Sequence, residues 1–212
     1  MITHKLLPED APSEKFSNAV IQNIYSRRSN RNYKPDPVPD EVLLELINAG
    51  IYAPTAKNQQ LWRFAVVTDR STIDRYADLA KQLCLKNLPS IAATPGLTAE
   101  QVSMFEKMMR SPIHIFHHAP ALVFIFAPQV PFIEQDCACA AENMMLAAHS
   151  LGLGSCWIGT AVLPLGAHDQ TLEELKVPKG YRIMAAVVFG YPTNEAHKAP
   201  ARNKDVIISW TP

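Results

Sequence analysis

The chain has 212 residues, 48% of them hydrophobic, so it can bury a sizeable core and does not have the composition of a disordered chain. Basic and acidic residues balance at 20 each, which removes the cationic excess that nucleic acid or an anionic membrane surface selects. No apolar run approaches the ~20 residues that span a bilayer, and Ala119 to Phe132 is interrupted by Pro120, Pro128 and Pro131.

Residues 1 to about 16 read as an extended arm, and 17–212 as a single domain with no repeat or linker. The opening residues lack the long apolar segment of a signal peptide, so a cytoplasmic protein is expected. Ser17 to Tyr25 reads as a short helix, with Ser17 as N-cap and Val20, Ile21 and Ile24 as its apolar stripe. At its end stand Arg27, Arg28, Ser29 and Arg31. Guanidinium forks with a hydroxyl among them suit an anion, and arginines equally suit a solvated helix end. After the Pro-rich stretch Tyr33–Pro39, a helix is expected with Pro39 in its first position and Val42, Leu43, Leu46, Ile47 and Ile51 at helical spacing.

The helix leads into a polar run, Ala53 to Phe64, with Pro54, Thr55, Ala56, Asn58 and Gln60 in it. Such side chains cannot enter a core without partners. A loop of this kind either grips a polar ligand or is a solvated connector. Then come a strand at Trp62–Thr68, a helix at Ser71–Lys86, a loop at Leu88–Gly96 and a helix at Ala99–Arg110. Ala121 to Ala127 is uninterruptedly apolar and reads as a central strand buried on both faces. A long helix rich in alanine, Phe132–Leu151, allows close approach by another element and stops at Leu151-Gly-Leu-Gly154. These glycines follow a helix, whereas the dinucleotide fingerprint follows a strand, so no Rossmann site is expected. A short helix at Leu172–Lys176, a buried strand at Arg182–Gly190 and a last strand at Val206–Trp210 complete the chain.

Cys84, Cys137, Cys139 and Cys156 have no zinc spacing and read as buried free thiols. Cys137 and Cys139 point about 200° apart on a helix and cannot share a metal. His114, His117 and His118 have no further ligand near them in sequence, and no metal site is expected.

Four segments in this order, Arg27–Arg31, Ala53–Trp62, Leu151–Gly159 and Arg202–Lys204, resemble the FMN-dependent nitroreductase family from about residue 20 to 210. The resemblance implies an α+β fold, a three-layer α-β-α sandwich with a central mixed sheet, in an intertwined homodimer holding two FMN molecules at its interface. It implies that Arg27 and Ser29 bind the FMN phosphate, that Arg28 reaches phosphate or ribityl, and that Arg202 and Lys204 complete the grip. Arg31 matches a basic position near the flavin pyrimidine edge. Pro54, Thr55, Ala56 and Asn58 would line the flavin across the interface, supported by Gln60, and Trp157, Ile158 and Gly159 would cover its other face. Ala56 stands where relatives often carry a second serine, so one hydrogen bond is missing. The implied activity is hydride transfer from NADH or NADPH to nitroaromatic or quinone-type acceptors by a ping-pong cycle. No protein general acid is needed. A flavin carrier or sensor without turnover would use the same grip, and a relative with a narrower flavin task is a further alternative.

Overall fold

Four strands form one sheet: β1 (Arg63–Val67), β2 (Ala121–Pro128), β3 (Gly154–Trp157) and β4 (Tyr181–Gly190). They lie in the order β1-β2-β4-β3. The computed structural model describes residues 17–193, 199–203 and 205–211. Among these residues the three strand ladders are all antiparallel, so the sheet expected to be mixed has its one parallel element in an isolated bridge between Ser29 and Ser155. The helices are α1 (Ala19–Ser26), α2 (Asp40–Ile51), α3 (Arg70–Lys86), α4 (Leu88–Ala92), α5 (Ala99–Arg110), α6 (Ile133–Ser150), α7 (Gly159–Gly166) and α8 (Asp169–Glu174).

Alternation along β2 dictates the layering. Ala121, Val123, Ile125 and Ala127 join one apolar cluster with Leu43 and Leu46 of α2 and Ala140, Ala141 and Met144 of α6. Leu122, Phe124 and Phe126 join another with Ile73, Tyr76 and Ala80 of α3 and Ala161 and Leu165 of α7. A strand buried on both faces needs a helical layer on each, and the result is an α-β-α sandwich. Phe124 and Leu46 have no exposed surface, and burial of such a side chain is worth about 1.5–3 kcal/mol. Between Ile125 and Phe126 the β2–β4 register skips Met184. The bulge puts Ile183 on the opposite face from Ala185, against the odd-number rule that holds beyond it.

Several local expectations need correction. Asn18 caps α1, its Oδ1 accepting from the Ile21 amide at 3.0 Å, because Ser17 lies one residue too early. Pro39 is the N-cap of α2 and not its first helical residue. Leu88–Gly96 is not all loop: Pro89, at the start of α4, is preset for a helical turn. The last short helix lies at Asp169–Glu174, earlier than expected, capped by His168. The expected final strand at Val206–Trp210 has irregular backbone with Ile208 fully exposed, and it joins none of the strand ladders among the described residues. Cys139 is exposed, whereas Cys84, Cys137 and Cys156 are buried. The 1–16 arm lies outside the described residues.

Helix α7 has no clear sequence signal because Pro164 stands inside it. Proline cannot donate to the carbonyl four residues back, that of Thr160. The Cys84 thiol donates to this carbonyl at 3.6 Å, so the helix survives its missing bond. No helix among the described residues is long and apolar enough to cross a membrane.

Candidate functional site

The first candidate segment leaves α1 and runs beside the edge strand β3. Ser29 bridges to Ser155, and the Asn30 amide donates to the Ser155 carbonyl at 2.9 Å. The Tyr33 hydroxyl closes the turn by donating to the Asn30 carbonyl at 2.6 Å. Arg27, Ser29 and Arg31 are thus held against the stretch that ends in Trp157, Ile158 and Gly159.

Arg27 carries the most informative atom. Its Nη1 is buried and has no hydrogen-bond partner among the described residues. Its Nε reaches Glu142 of α6 at only 3.7 Å, and that carboxylate is half exposed. A buried, unsatisfied guanidinium nitrogen is costly, and an anionic oxygen is the partner that would relieve it. Arg28 donates through Nη1 to the Tyr25 and Arg27 carbonyls. His149, at the end of α6, sits 2.8 Å from the Ser26 hydroxyl. Burial, then the charges of Arg27 and Arg28, push its pKa below the usual histidine value. Burial raises the Cys156 thiol, against the opposing pull of Arg31 and Arg27. The neighbourhood is therefore cationic, and a bound phosphate would balance it.

The second segment is the polar loop after α2. The Ala56 amide donates to both carboxylate oxygens of Asp136, each at 3.1 Å. Gln60 donates through its amide nitrogen to Thr55 Oγ1 at 3.3 Å and through Nε2 to Asn58 Oδ1 at 2.8 Å. Lys57, Asn58 and Gln60 all have positive φ, near 50°. Three such residues in one loop store strain, which is typical of ligand clamps. Pro54, Asn58 and Gln60 are exposed, while Thr55 and Ala56 are half-buried. Gln60 thus holds the Asn58 side chain.

The polar loop and the Arg27–Arg31 segment share a support. Both lean on α6, the loop at Asp136 and the arginine at Glu142. Asp136→Ala is expected to cost about 1.5–3 kcal/mol, the value of hydrogen bonds to a charged group, and to speed exchange of the Ala56 amide. Amide exchange and urea unfolding of the variant check this; an unchanged Ala56 rate would remove the clamp.

The third segment forms β3 and the start of α7. Ile158 is buried, its amide bonded to the Ala186 carbonyl at 2.8 Å. Trp157 is partly exposed beside it. Gly159 opens α7, so its amide and that of Thr160 belong to the first turn, where helical amides have no intrahelical acceptor. Arg202 is exposed on irregular backbone, and Lys204 lies outside the described residues.

Arg31 is exposed and lines a bay of about 690 Å³ with Tyr33, His114, His117 and His118. The sequence offers these histidines no further ligand; the fold supplies one, Asp74 of α3, within 4.8 Å of His114 and His118. The chemistry does not fit a cation. His114 Nδ1 accepts from the His118 amide, and its Nε2 faces Asp74 at 2.9 Å. A metal at Nε2 would need that ring fully deprotonated. Arg70 also reaches Asp74 at 3.4 Å and His118 Nδ1 at 3.3 Å, placing a guanidinium where the cation would sit. The group is a hydrogen-bonded anchor that ties the turn before β2 to α3.

Sequence patterning had no means of finding Asp136 or His149, and it gives Asn30 only as an amide within the arginine run, not as the residue that ties the run to β3. Each acts through a partner distant in sequence, and each is a common residue type at a helix end or loop.

The sequence model described as "Nitroreductase family" matches residues 24–191. A protein named NADH dehydrogenase from Thermus thermophilus is 50% identical over 189 residues, covering 87% of this chain and 92% of its own. A crystal structure titled nitroreductase with bound FMN, from Bacteroides fragilis, superposes with a TM-score of 0.74 at 27% identity, covering 92% of this chain and 100% of that one. A second such structure, from Desulfitobacterium hafniense, gives a TM-score of 0.75 at 22% identity over 92% of this chain and 100% of that one, a likeness of fold.

Proposed function

The chain belongs to the nitroreductase family, and from that premise we propose that it is an FMN-dependent oxidoreductase working on NADH or NADPH and a nitroaromatic or quinone-type acceptor. The observation that carries the reading is the buried, unpartnered Nη1 of Arg27 beside Ser29 and Arg28. Arg27 and Ser29 would hold the FMN phosphate, with Arg28 at phosphate or ribityl and Arg202 and Lys204 closing from the tail. When bound, FMN supplies hydride acceptance from the nicotinamide and two-electron delivery to the acceptor, in a ping-pong cycle.

The chain's own groups orient and tune. Trp157 and Ile158 would wall one side of the ring, with the Gly159 amide facing its reactive edge. Arg31 would hold positive charge at the pyrimidine edge and favour the electron-rich form. Arg31→Ala is expected to keep FMN and to lower its two-electron midpoint potential; an unaltered potential removes Arg31 from this role.

The reading includes a homodimer. Val20 and Ile24 form an apolar stripe on α1 that faces solvent in the single chain, and Tyr52 and Leu44 extend the exposed apolar surface on and after α2. A helix with no buried residue of its own is stabilised by packing on another surface. Pro54, Thr55, Ala56 and Asn58 would then reach the flavin of the neighbouring copy, with Gln60 behind them. A monomeric mass by sedimentation would end this part.

The deciding experiment is the absorbance spectrum of the purified protein. A flavin spectrum, or its appearance on adding FMN, is expected, with bleaching by NADH or NADPH under anaerobic conditions. A protein that stays colourless after incubation with FMN and removal of the unbound flavin refutes the reading. Flavin that binds and does not bleach would make the protein a carrier or sensor.

A further inference from the structure

A cleft of about 610 Å³ opens between α3, α4, α5 and α7. Leu83, Ile91, Val102, Phe105, Leu163 and Pro164 supply most of its wall. Among the described residues no charged side chain lines it. Asn87, Ser90, Thr94, Gln101 and Thr160, with the Cys84 thiol, are its few polar groups.

The helices leave this space for a physical reason. Helix α5 is amphipathic, yet of its stripe only Met109 is fully buried in the core; Val102 and Phe105 stay half-buried and face the cleft. Helix α4 has no buried residue at all. An apolar wall left wet in this way is stabilised by an apolar guest. The volume lies within the range of small-molecule pockets, about 300–1,000 Å³. A guest helix is ~10–12 Å across and two turns of it with side chains would overfill the space.

The position of the cleft narrows the guest further. Gly159 and Thr160 line it, and Gly159 is the residue whose amide faces the reactive ring edge in the reading above. Resting on that reading, we propose that the cleft holds the long apolar substituent of the electron acceptor, whose ring lies at the Gly159–Thr160 end. The acceptor class is then a quinone with an alkyl-type tail, in preference to a compact nitroarene. The quinone ring takes up two electrons and two protons and becomes the hydroquinone. NADH or NADPH supplies both electrons and one proton as hydride and leaves as the oxidised nicotinamide; water supplies the second proton.

The test uses the FMN-loaded full chain and 1,4-benzoquinones bearing no tail, a butyl tail or a decyl tail. Each methylene that leaves water is worth up to about fourfold in affinity. KM is expected to fall at least tenfold from the tailless to the decyl compound. Val102→Trp fills the cleft and is expected to abolish that trend while leaving kcat and KM for the tailless quinone unchanged. Leu163→Trp does the same from the highly exposed rim, where it cannot disturb the core. Equilibrium dialysis of the decyl compound without nicotinamide reads occupancy apart from turnover, and both tryptophan variants are expected to lose it. Binding without turnover would sink the reductase reading and leave an apolar ligand site. Turnover with no tail dependence, or a tail dependence that survives both tryptophans, would overturn the cleft assignment and leave the reductase reading intact.

Discussion

Replacing Arg27 with alanine is expected to weaken FMN binding by roughly 1.5–3 kcal/mol, about 13- to 160-fold in Kd. The size follows from where the guanidinium sits. Its side chain is mostly buried, Nη1 has no partner, and Nε has only a long approach to a half-exposed Glu142. An arginine already satisfied by a carboxylate would contribute little to an incoming phosphate. This one has lost water and gained almost nothing in exchange, so a phosphate oxygen would meet a desolvated donor. The same logic predicts a contrast in the FMN-free protein. There Arg27→Met removes an unsatisfied buried group whose cost is about 1–3 kcal/mol, so it should leave the urea midpoint unchanged or raise it. Fluorescence titration of FMN and urea unfolding measure the two effects separately. An unchanged Kd in Arg27→Ala would move the phosphate elsewhere; a large loss of stability in FMN-free Arg27→Met would make the residue structural.

The elements that were legible in the sequence are long helical patterns and continuous apolar runs. Helices α3, α5 and α6 and the buried strands β2 and β4 stand within a residue or two of expectation, because each helix satisfies its own backbone and each strand is an apolar run that only a two-sided core accommodates. Elements decided by tertiary contacts were not legible. Strand β3 has four residues and exists because β4 pairs with it. Helix α7 survives Pro164 because Cys84, on another helix, donates to the bereft carbonyl. The bulge at Met184 changes which residues face which core, and no local pattern announces it. At the site, residue types were readable but their couplings were not. The sequence shows a polar loop at Ala53–Phe64; it does not show that Asp136, 80 positions from Ala56, holds that loop in place. It shows three arginines; it does not show that one of them ends with a buried, unpartnered nitrogen.

Gly154→Ala is expected to damage FMN binding more than it damages the fold. A Cβ built on Gly154 would lie 2.8 Å from Asn30 Cβ, 2.9 Å from Cγ and 3.0 Å from Nδ2, all on a single side chain. Gly154 does not have positive φ, so alanine is acceptable to the backbone and the whole cost is this collision. Asn30 cannot easily retreat. Its amide is bonded to Ser155, its carbonyl to the Tyr33 hydroxyl, and its Nδ2 donates to the Arg28 carbonyl at 3.3 Å. The Arg27–Arg31 segment must therefore peel from β3, taking its arginines out of register, at an overpacking cost of about 1–3 kcal/mol. Asn30→Gly in the same chain removes every colliding atom and should restore most of the FMN affinity, giving a coupling that a double-mutant cycle measures. Gly152→Ala is the contrasting case. Gly152 has φ of 77° and open space around it, so alanine there strains the end of α6 and lowers stability without touching Asn30. Equal losses of FMN affinity in the two alanine variants, or no rescue by Asn30→Gly, would show that β3 does not position the arginine segment.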